Sequence, residues 1–192
     1  MYHNQAFQST INTQNQFDDM KKIFLLAALT IALTQANAQK QFGTRNAKVN
    51  FVATNDDDVK AVNNEVASRL SDNGQLSFSL LIKGFKFEYA EMQEKFNNDY
   101  AESNKFPRAE FKGNISNIKE VNFTKDGTYK VVVKGTLTLH GVTKPLTVNG
   151  LITVKAGKVS ATGKFPIVMK DFNIDASAVT EKVNADINAV YQ

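Results

Sequence analysis

The residues best suited to chemistry in this sequence surround its second histidine. His140 opens the stretch HGVTKP, which places an imidazole, a glycine and a lysine between two alternating segments. A histidine can act as a general base or a metal ligand, but both roles need partner residues. The other histidine, His3, lies near the start of the chain, and there is no Cys to complete a zinc site. Because His140 falls on the polar face at the end of a predicted strand, we expect a solvent-facing or turn-bonding side chain.

Two acidic groups offer further chemistry, and neither matches a known kind of site. Asp171 and Asp175 flank three residues of a predicted loop, which is weak support for acid–base catalysis. The run from Asn55 to Asp58 lacks the spaced ligands and the distal Glu of a calcium loop. The sequence also lacks the HExxH, GxSxG, GxGxxG and phosphate-loop motifs. We therefore predict a protein that is not an enzyme and that uses no metal or cofactor.

Alternating apolar and polar residues dominate the part of the chain that would position these groups. From residue 128 onward, apolar side chains recur at every second position, as in half-buried antiparallel strands. Residues 41–54, 59–71 and 75–87 predict further strands. The pairs Asp126-Gly127 and Ala156-Gly157 predict short hairpin connections.

One segment departs from this alternation. Tyr89, Met92, Phe96 and Tyr100 are spaced as on one face of an amphipathic helix that ends near Ser103. Its aromatic stripe could cover a ligand site, but ordinary packing is the interpretation that we favour.

These elements predict a mainly β fold with one helix and roughly eight strands. A single antiparallel barrel fits best, with a two-sheet sandwich as its rival. A barrel of about eight strands can be filled by side chains or can hold one small ligand. Several inward positions are small and favour an internal cavity, although small residues also allow strands to bend. These small positions are Gly113, Gly135, Gly150, Ala161, Gly163, Ala185 and Ala189. The apolar residues that we predict to line a ligand tunnel are Leu80, Ile82, Phe111, Ile115, Val133, Leu137, Ile152, Phe165 and Ile187.

The start of the chain predicts export. Lys21 and Lys22 precede an apolar run from Ile23 to Leu33, and Ala36-Asn37-Ala38 forms a small-x-small cleavage site. This order is typical of a secretory signal peptide. A membrane anchor is disfavoured because the apolar run is too short to span a bilayer, and a buried core helix would not need the flanking lysines and small residues. We therefore predict an upstream extension at 1–19, a signal peptide at 20–38 cleaved after Ala38, and one periplasmic or secreted domain at 39–192.

The charge of the chain is weakly basic. It carries 23 Lys and Arg against 19 Asp and Glu, for a net charge of +4. The lysines are spread along polar strand faces rather than clustered among aromatics, so we predict no binding to nucleic acid. The sequence leaves monomer and homodimer both open.

Two motifs resemble those of a known family. LTLHGVTKPLTV, from residue 137, and FPRAEFKG, from residue 106, are similar to the signatures of YceI-like exported bacterial proteins. The resemblance covers roughly residues 41–191. It implies an extended lipocalin-like barrel whose apolar tunnel holds a polyisoprenoid or a similar amphiphilic lipid, without catalysis. The alternative is a structural or stress-related barrel without a tight ligand. One region differs from better-known members: the segment EMQEKFNNDYAESNKFP replaces their Arg-Asp and Phe-Phe-Asp runs, so the ligand head group could differ.

Overall fold

The alternation of apolar and polar side chains gives each strand one buried and one wet face. The computed structural model describes residues 39–192, which contain nine strands and one α-helix. The strands are β1 (Gln41–Ala53), β2 (Lys60–Ser71), β3 (Gln75–Leu81), β4 (Lys86–Phe87), β5 (Arg108–Ile115), β6 (Gly127–Leu139), β7 (Val142–Lys155), β8 (Lys158–Val168) and β9 (Lys182–Val190). The helix is α1 (Ala90–Lys95). The predicted extension, signal peptide and cleavage after Ala38 lie outside the described residues and stay predictions.

The strands close into an antiparallel barrel, which confirms the predicted fold and excludes the sandwich. Their order is β1-β9-β8-β7-β6-β5-β3-β2, and β2 pairs back with β1 to complete the circle. The short β4 lies outside the barrel and pairs only with β2. Each of the eight strands pairs with two neighbours over at least part of its length, which protects these backbone hydrogen bonds.

Two of the hairpin turns have the geometry that a twisted sheet favours. His140-Gly141 joins β6 to β7, and Ala156-Gly157 joins β7 to β8, with positive φ at all four residues. Two central residues with positive φ form the type I′ turn, whose twist matches that of paired strands. The predicted hairpin at Asp126-Gly127 is wrong: β5 and β6 pair, but residues 116–126 connect them and include a 3₁₀ turn at Ile118–Glu120.

The predicted helix is present but shorter than expected. It ends at Lys95 and continues as a π-helical turn from Phe96 to Tyr100. Glu91 and Lys95, four residues apart, form an ion pair along its exposed face, with 3.4 Å between Nζ and Oε1. This segment lies at the upper end of the barrel, which we define as the end that carries the His140-Gly141 turn.

The lower end of the barrel, where β1 begins and β9 ends, is filled by side chains. Phe42 is buried there and stacks on Phe123 of the β5–β6 connection, with 5.1 Å between ring centroids. Val154, Val159 and Tyr191 are buried in the same layer. The apolar interior is therefore closed by packing at this end.

Candidate functional site

An elongated apolar cavity of about 700 Å³ occupies the barrel above this packed layer. Its volume lies within the usual range for small-molecule sites. Leu70, Leu76 and Ile152 line its lower part, whereas Phe42 and Tyr191 do not line it. The cavity therefore begins in the middle of the barrel and runs towards the upper end.

All nine residues predicted to line a tunnel lie on the wall of this cavity. Strand alternation was enough to predict that these nine side chains face inward, because every second residue along a barrel strand points into the barrel. Their contact with a ligand stays a prediction. Among the predicted small positions, Gly150, Ala161, Gly163 and Ala185 also line the cavity.

Two of the predicted small positions have another role. Gly113 and Gly135 face each other across β5 and β6, and neither lines the cavity. A Cβ at Gly135 would lie 2.3 Å from the carbonyl oxygen of Lys112 and 2.7 Å from the ring of Phe111. Glycine is therefore required at this position because the β5 and β6 backbones approach closely beneath the Phe111 ring. It does not enlarge the cavity.

Four phenylalanines form an aromatic cluster at the upper end of the cavity. The rings are those of Phe51, Phe85, Phe87 and Phe96, and all four line the cavity. Five of the six ring pairs have centroids 5.0 to 5.9 Å apart. Such tilted and edge-on pairs are favourable arrangements for aromatic rings. Phe51, Phe85 and Phe87, which lie outside the helix, were not among the residues predicted to line a tunnel. Phe85 and Phe87 follow the 3₁₀ turn at Ile82–Gly84 and lie at odd positions, whereas the inward residues of β3 are at even positions.

The aromatic stripe of the helical segment faces the same space. Met92, Phe96 and Tyr100 line the cavity and cover its upper end. Exposed Glu91 and Lys95 lie beside them at the rim. The stripe that we interpreted as ordinary packing therefore packs over the cavity, with charged groups at the boundary to water.

The wall offers little for catalysis. Its polar side chains are few and lie mainly at the rim, as with Asp56, Glu91 and Lys95. Within residues 39–192 there is no group of three or more His, Cys, Asp or Glu side chains that could hold a metal ion. The arrangement can enclose an apolar chain and leave a polar group at the rim.

His140 does not face solvent, so that part of the prediction is wrong. Its side chain is 8% exposed and the ring lies against Phe106, with 4.2 Å between ring centroids. Nδ1 lies 3.1 Å from the carbonyl oxygen of Phe172, and Nε2 lies 2.9 Å from a carboxylate oxygen of Glu102. The ring therefore joins the β6–β7 turn to two other segments of the upper end. It is not on the cavity wall.

One buried hydroxyl has a shifted acidity. Tyr191 hydrogen-bonds to Ser68, with 2.9 Å between the two hydroxyl oxygens. Burial raises the pKa of Tyr191 to about 12, because the phenolate would be poorly solvated there. The pair lies in the packed lower layer and is structural.

No helix of the described part of the chain is long and apolar enough to cross a membrane.

Comparison with known proteins gives a consistent family and fold. The family model described as the YceI-like domain matches residues 9–191. No curated protein matches the sequence significantly.

Solved structures of low sequence identity share the fold. A polyisoprenoid binding domain from Saccharophagus degradans, implicated in plant cell wall breakdown, is 13% identical with a TM-score of 0.69, over 80% of this chain and 98% of that one. BcnA from Burkholderia cenocepacia is 18% identical with a TM-score of 0.60, over 76% and 96%. A YCEI protein from Campylobacter jejuni is 18% identical with a TM-score of 0.53, over 67% and 80%.

Proposed function

Because the chain belongs to the YceI-like domain family, we propose that it is a non-catalytic lipid-binding protein. It holds a polyisoprenoid or another long apolar chain inside the barrel, with the polar head of the lipid at the rim. The observation that carries the proposal is the apolar cavity of about 700 Å³ that replaces a filled core in the upper barrel. The binding named for the Saccharophagus degradans domain of the same fold supports the same class of ligand.

The physical chemistry of the cavity favours a chain over a compact polar molecule. An apolar chain gains about 0.8 kcal/mol for each methylene group that leaves water. A polar molecule would lose its hydrogen bonds to water in a space with few donors or acceptors, at a cost of about 2 kcal/mol or more for each group. The charged groups Glu91 and Lys95 at the rim suit the head of an amphiphile, which stays hydrated.

Export of the protein is part of the proposal. The signal peptide predicted at 20–38 would deliver residues 39–192 to the periplasm or the medium. A water-filled compartment beside membranes is where an apolar chain needs a protein to enclose it. The alternative function is a structural barrel without a ligand. Such a barrel would be expected to fill its interior with side chains, and the cavity in the upper barrel does not favour it.

Native mass spectrometry of protein purified from its own host tests the proposal first. We expect a co-purifying apolar species of discrete mass. Protein stripped of lipid should then bind farnesol, a short polyprenyl alcohol, as followed by isothermal titration. Absence of a co-purifying lipid, together with no binding of farnesol, would overturn the proposal.

Two matched variants locate the binding. A Cβ at Gly163 would lie 3.2 Å from a methyl group of Val148, so Gly163→Leu adds volume to the cavity at an overpacking cost of about 1 to 3 kcal/mol. A Cβ at Gly43 meets nothing within 4 Å and is outside the cavity, so Gly43→Leu is the control. Folded Gly163→Leu should bind farnesol more weakly than the parent, and Gly43→Leu should bind it as the parent does. Equal binding by both variants would place the ligand elsewhere.

A further inference from the structure

The wall of the barrel is not paired along its full height. β7 pairs with β6 over its whole length, but it pairs with β8 only from Gly150 to Lys155. Above the Gly150–Gly163 pair, residues 142–149 of β7 pair with β6 alone, and residues 164–168 of β8 pair with β9 alone. We call the space between these two unpaired stretches the lateral window.

Two prolines remove hydrogen-bond donors from the edges of the lateral window. The residues beside a two-residue turn form a hydrogen-bonded pair, and from there every second residue points its N–H to the same neighbouring strand. Counting from Lys155 and Lys158, the N–H positions of 143, 145, 147 and 149 on β7 and of 164, 166 and 168 on β8 point into the window. Pro145 and Pro166 occupy two of these positions and have no N–H to donate. Of the three prolines in the chain, two therefore lie on the edges of the same gap.

The inward side chains beside the lateral window are exposed from the side. Val148 is half-buried, whereas Val133, its partner on β6 at the same height, is buried. On the other edge, Phe165 is half-buried, whereas Ala185, its partner on β9, is buried. An open upper end would expose all four residues, so the difference places an opening between β7 and β8.

The lateral window has a closed frame and is continuous with the cavity. At its top, the hydrogen bond between His140 and the carbonyl oxygen of Phe172 ties the β6–β7 turn to the segment that follows β8. At its base, Leu151 and Thr162 form the first outward-facing pair below the gap, and both line the cavity. Leu146, Val148, Phe165 and Ile167, which flank the gap, also line it.

We propose that the lateral window is the route by which an apolar chain passes between the outside and the cavity, and through which a chain longer than the cavity extends. This inference rests on the proposed function, because it names the path to the same site. A side opening suits a long chain. The chain can enter sideways without threading through the aromatic cluster and the helical segment that cover the upper end.

Blocking single positions on the wall tests this route. The chain has no Cys, so one introduced thiol can be labelled alone with biotin-maleimide and then covered by streptavidin. Thr147→Cys places the block at the window. Lys155→Cys, which is exposed on the same face of the same strand where it pairs with β8, is the matched control. Glu94→Cys, which is exposed and does not line the cavity, places the block on the helix that covers the upper end. Uptake of solanesol from phosphatidylcholine vesicles is followed before and after addition of streptavidin.

We expect streptavidin at position 147 to slow uptake by roughly tenfold or more, and at positions 155 and 94 to leave it nearly unchanged, because access controls the association rate. Equal slowing at all three positions, no slowing at any, or slowing at position 94 alone would contradict entry through the lateral window. These results differ from a failure of the proposed function, in which the unlabelled parent takes up no polyprenyl alcohol of any length.

Discussion

At the scale of single residues, His140 shows why a motif can be recognised without its role being understood. The alternation of β6 places it on the polar face, but it lies in the turn at a φ of +51°, where alternation no longer applies. Histidine is among the residues that tolerate this conformation. Its two partners, Glu102 and Phe172, come from distant parts of the sequence. No local pattern could have found them.

Truncation of this side chain should cost stability and not ligand binding. In His140→Ala, the Phe172 carbonyl and the Glu102 carboxylate lose their partner, so we expect the free energy of unfolding to fall by about 1 to 3 kcal/mol. Farnesol affinity of the folded variant should match the parent, because His140 is not on the cavity wall. Urea unfolding and titration measure the two quantities. Thr143→Ala, an exposed change in the same hairpin, should stay within about 0.5 kcal/mol. Equal stability of the two variants would show that the His140 contacts contribute nothing.

The raised pKa of Tyr191 predicts that the protein loses stability at alkaline pH. Its pKa is raised to about 12 in the folded protein from an ordinary value near 10. A raised pKa leaves stability intact below about pH 10 and removes it as the pH rises towards about 12, because the unfolded state then releases the proton first. Two pKa units correspond to about 2 to 3 kcal/mol.

Replacement of the phenol isolates this effect. Tyr191→Phe has no proton to release, so its free energy of unfolding should fall less between pH 9 and pH 12 than that of the parent, by about 2 to 3 kcal/mol. Ser68→Ala removes the hydrogen bond but keeps the phenol, and should retain the alkaline loss. Parallel pH profiles for parent and Tyr191→Phe would refute the assignment.

At the scale of elements, the strands followed from the sequence far better than their connections did. Alternation sets which residues face inward, and this signal is strong in a barrel with one dry and one wet face. A two-residue turn such as Ala156-Gly157 can be predicted because Gly157 readily adopts the positive φ that the turn needs. Asp126-Gly127 was misleading because β6 begins at Gly127 after a longer connection, whose packing against Phe42 is a tertiary effect.

The two kinds of inward glycine should respond differently to a single methyl group. Gly135→Ala should lower the free energy of unfolding by about 1 to 3 kcal/mol or more, because its Cβ would meet backbone atoms that cannot move aside. Gly43→Ala, in β1 and with open space around the new methyl group, should stay within about 0.5 kcal/mol. Thermal and urea unfolding of both variants make the comparison. Tolerance of Gly135→Ala would mean that β5 and β6 are not as close as the structure places them.

At the scale of the whole molecule, the cavity could be anticipated but its openings could not. Small inward residues favoured a cavity, and residues such as Gly163 and Ala161 do line it. The openings depend on where neighbouring strands stop pairing. β7 and β8 stop pairing above the Gly150–Gly163 pair, and this register is a property of the folded barrel. Pro145 and Pro166 have no N–H for strand pairing, but the strand predictions did not use this. That they border the same gap became visible only in the folded barrel.

Chain length should therefore govern affinity without a sharp upper limit. Each five-carbon unit offers roughly 3 to 4 kcal/mol of gross transfer free energy, of which ordering of the chain removes a large part. Affinity should rise from geraniol through farnesol to geranylgeraniol while each added unit still enters the cavity. It should then level off at solanesol rather than fall, since the excess chain can leave through the lateral window. Titration of lipid-free protein with each alcohol in the same detergent gives the series.

Replacing farnesol with farnesyl phosphate should change affinity by less than about tenfold, because the head stays in water at the rim. Folded Gly163→Leu should reach its plateau at a shorter chain, since the added volume shortens the space available. A steep loss of affinity for solanesol would show a cavity closed to long chains, and affinity independent of length would show that the chain does not lie in the barrel.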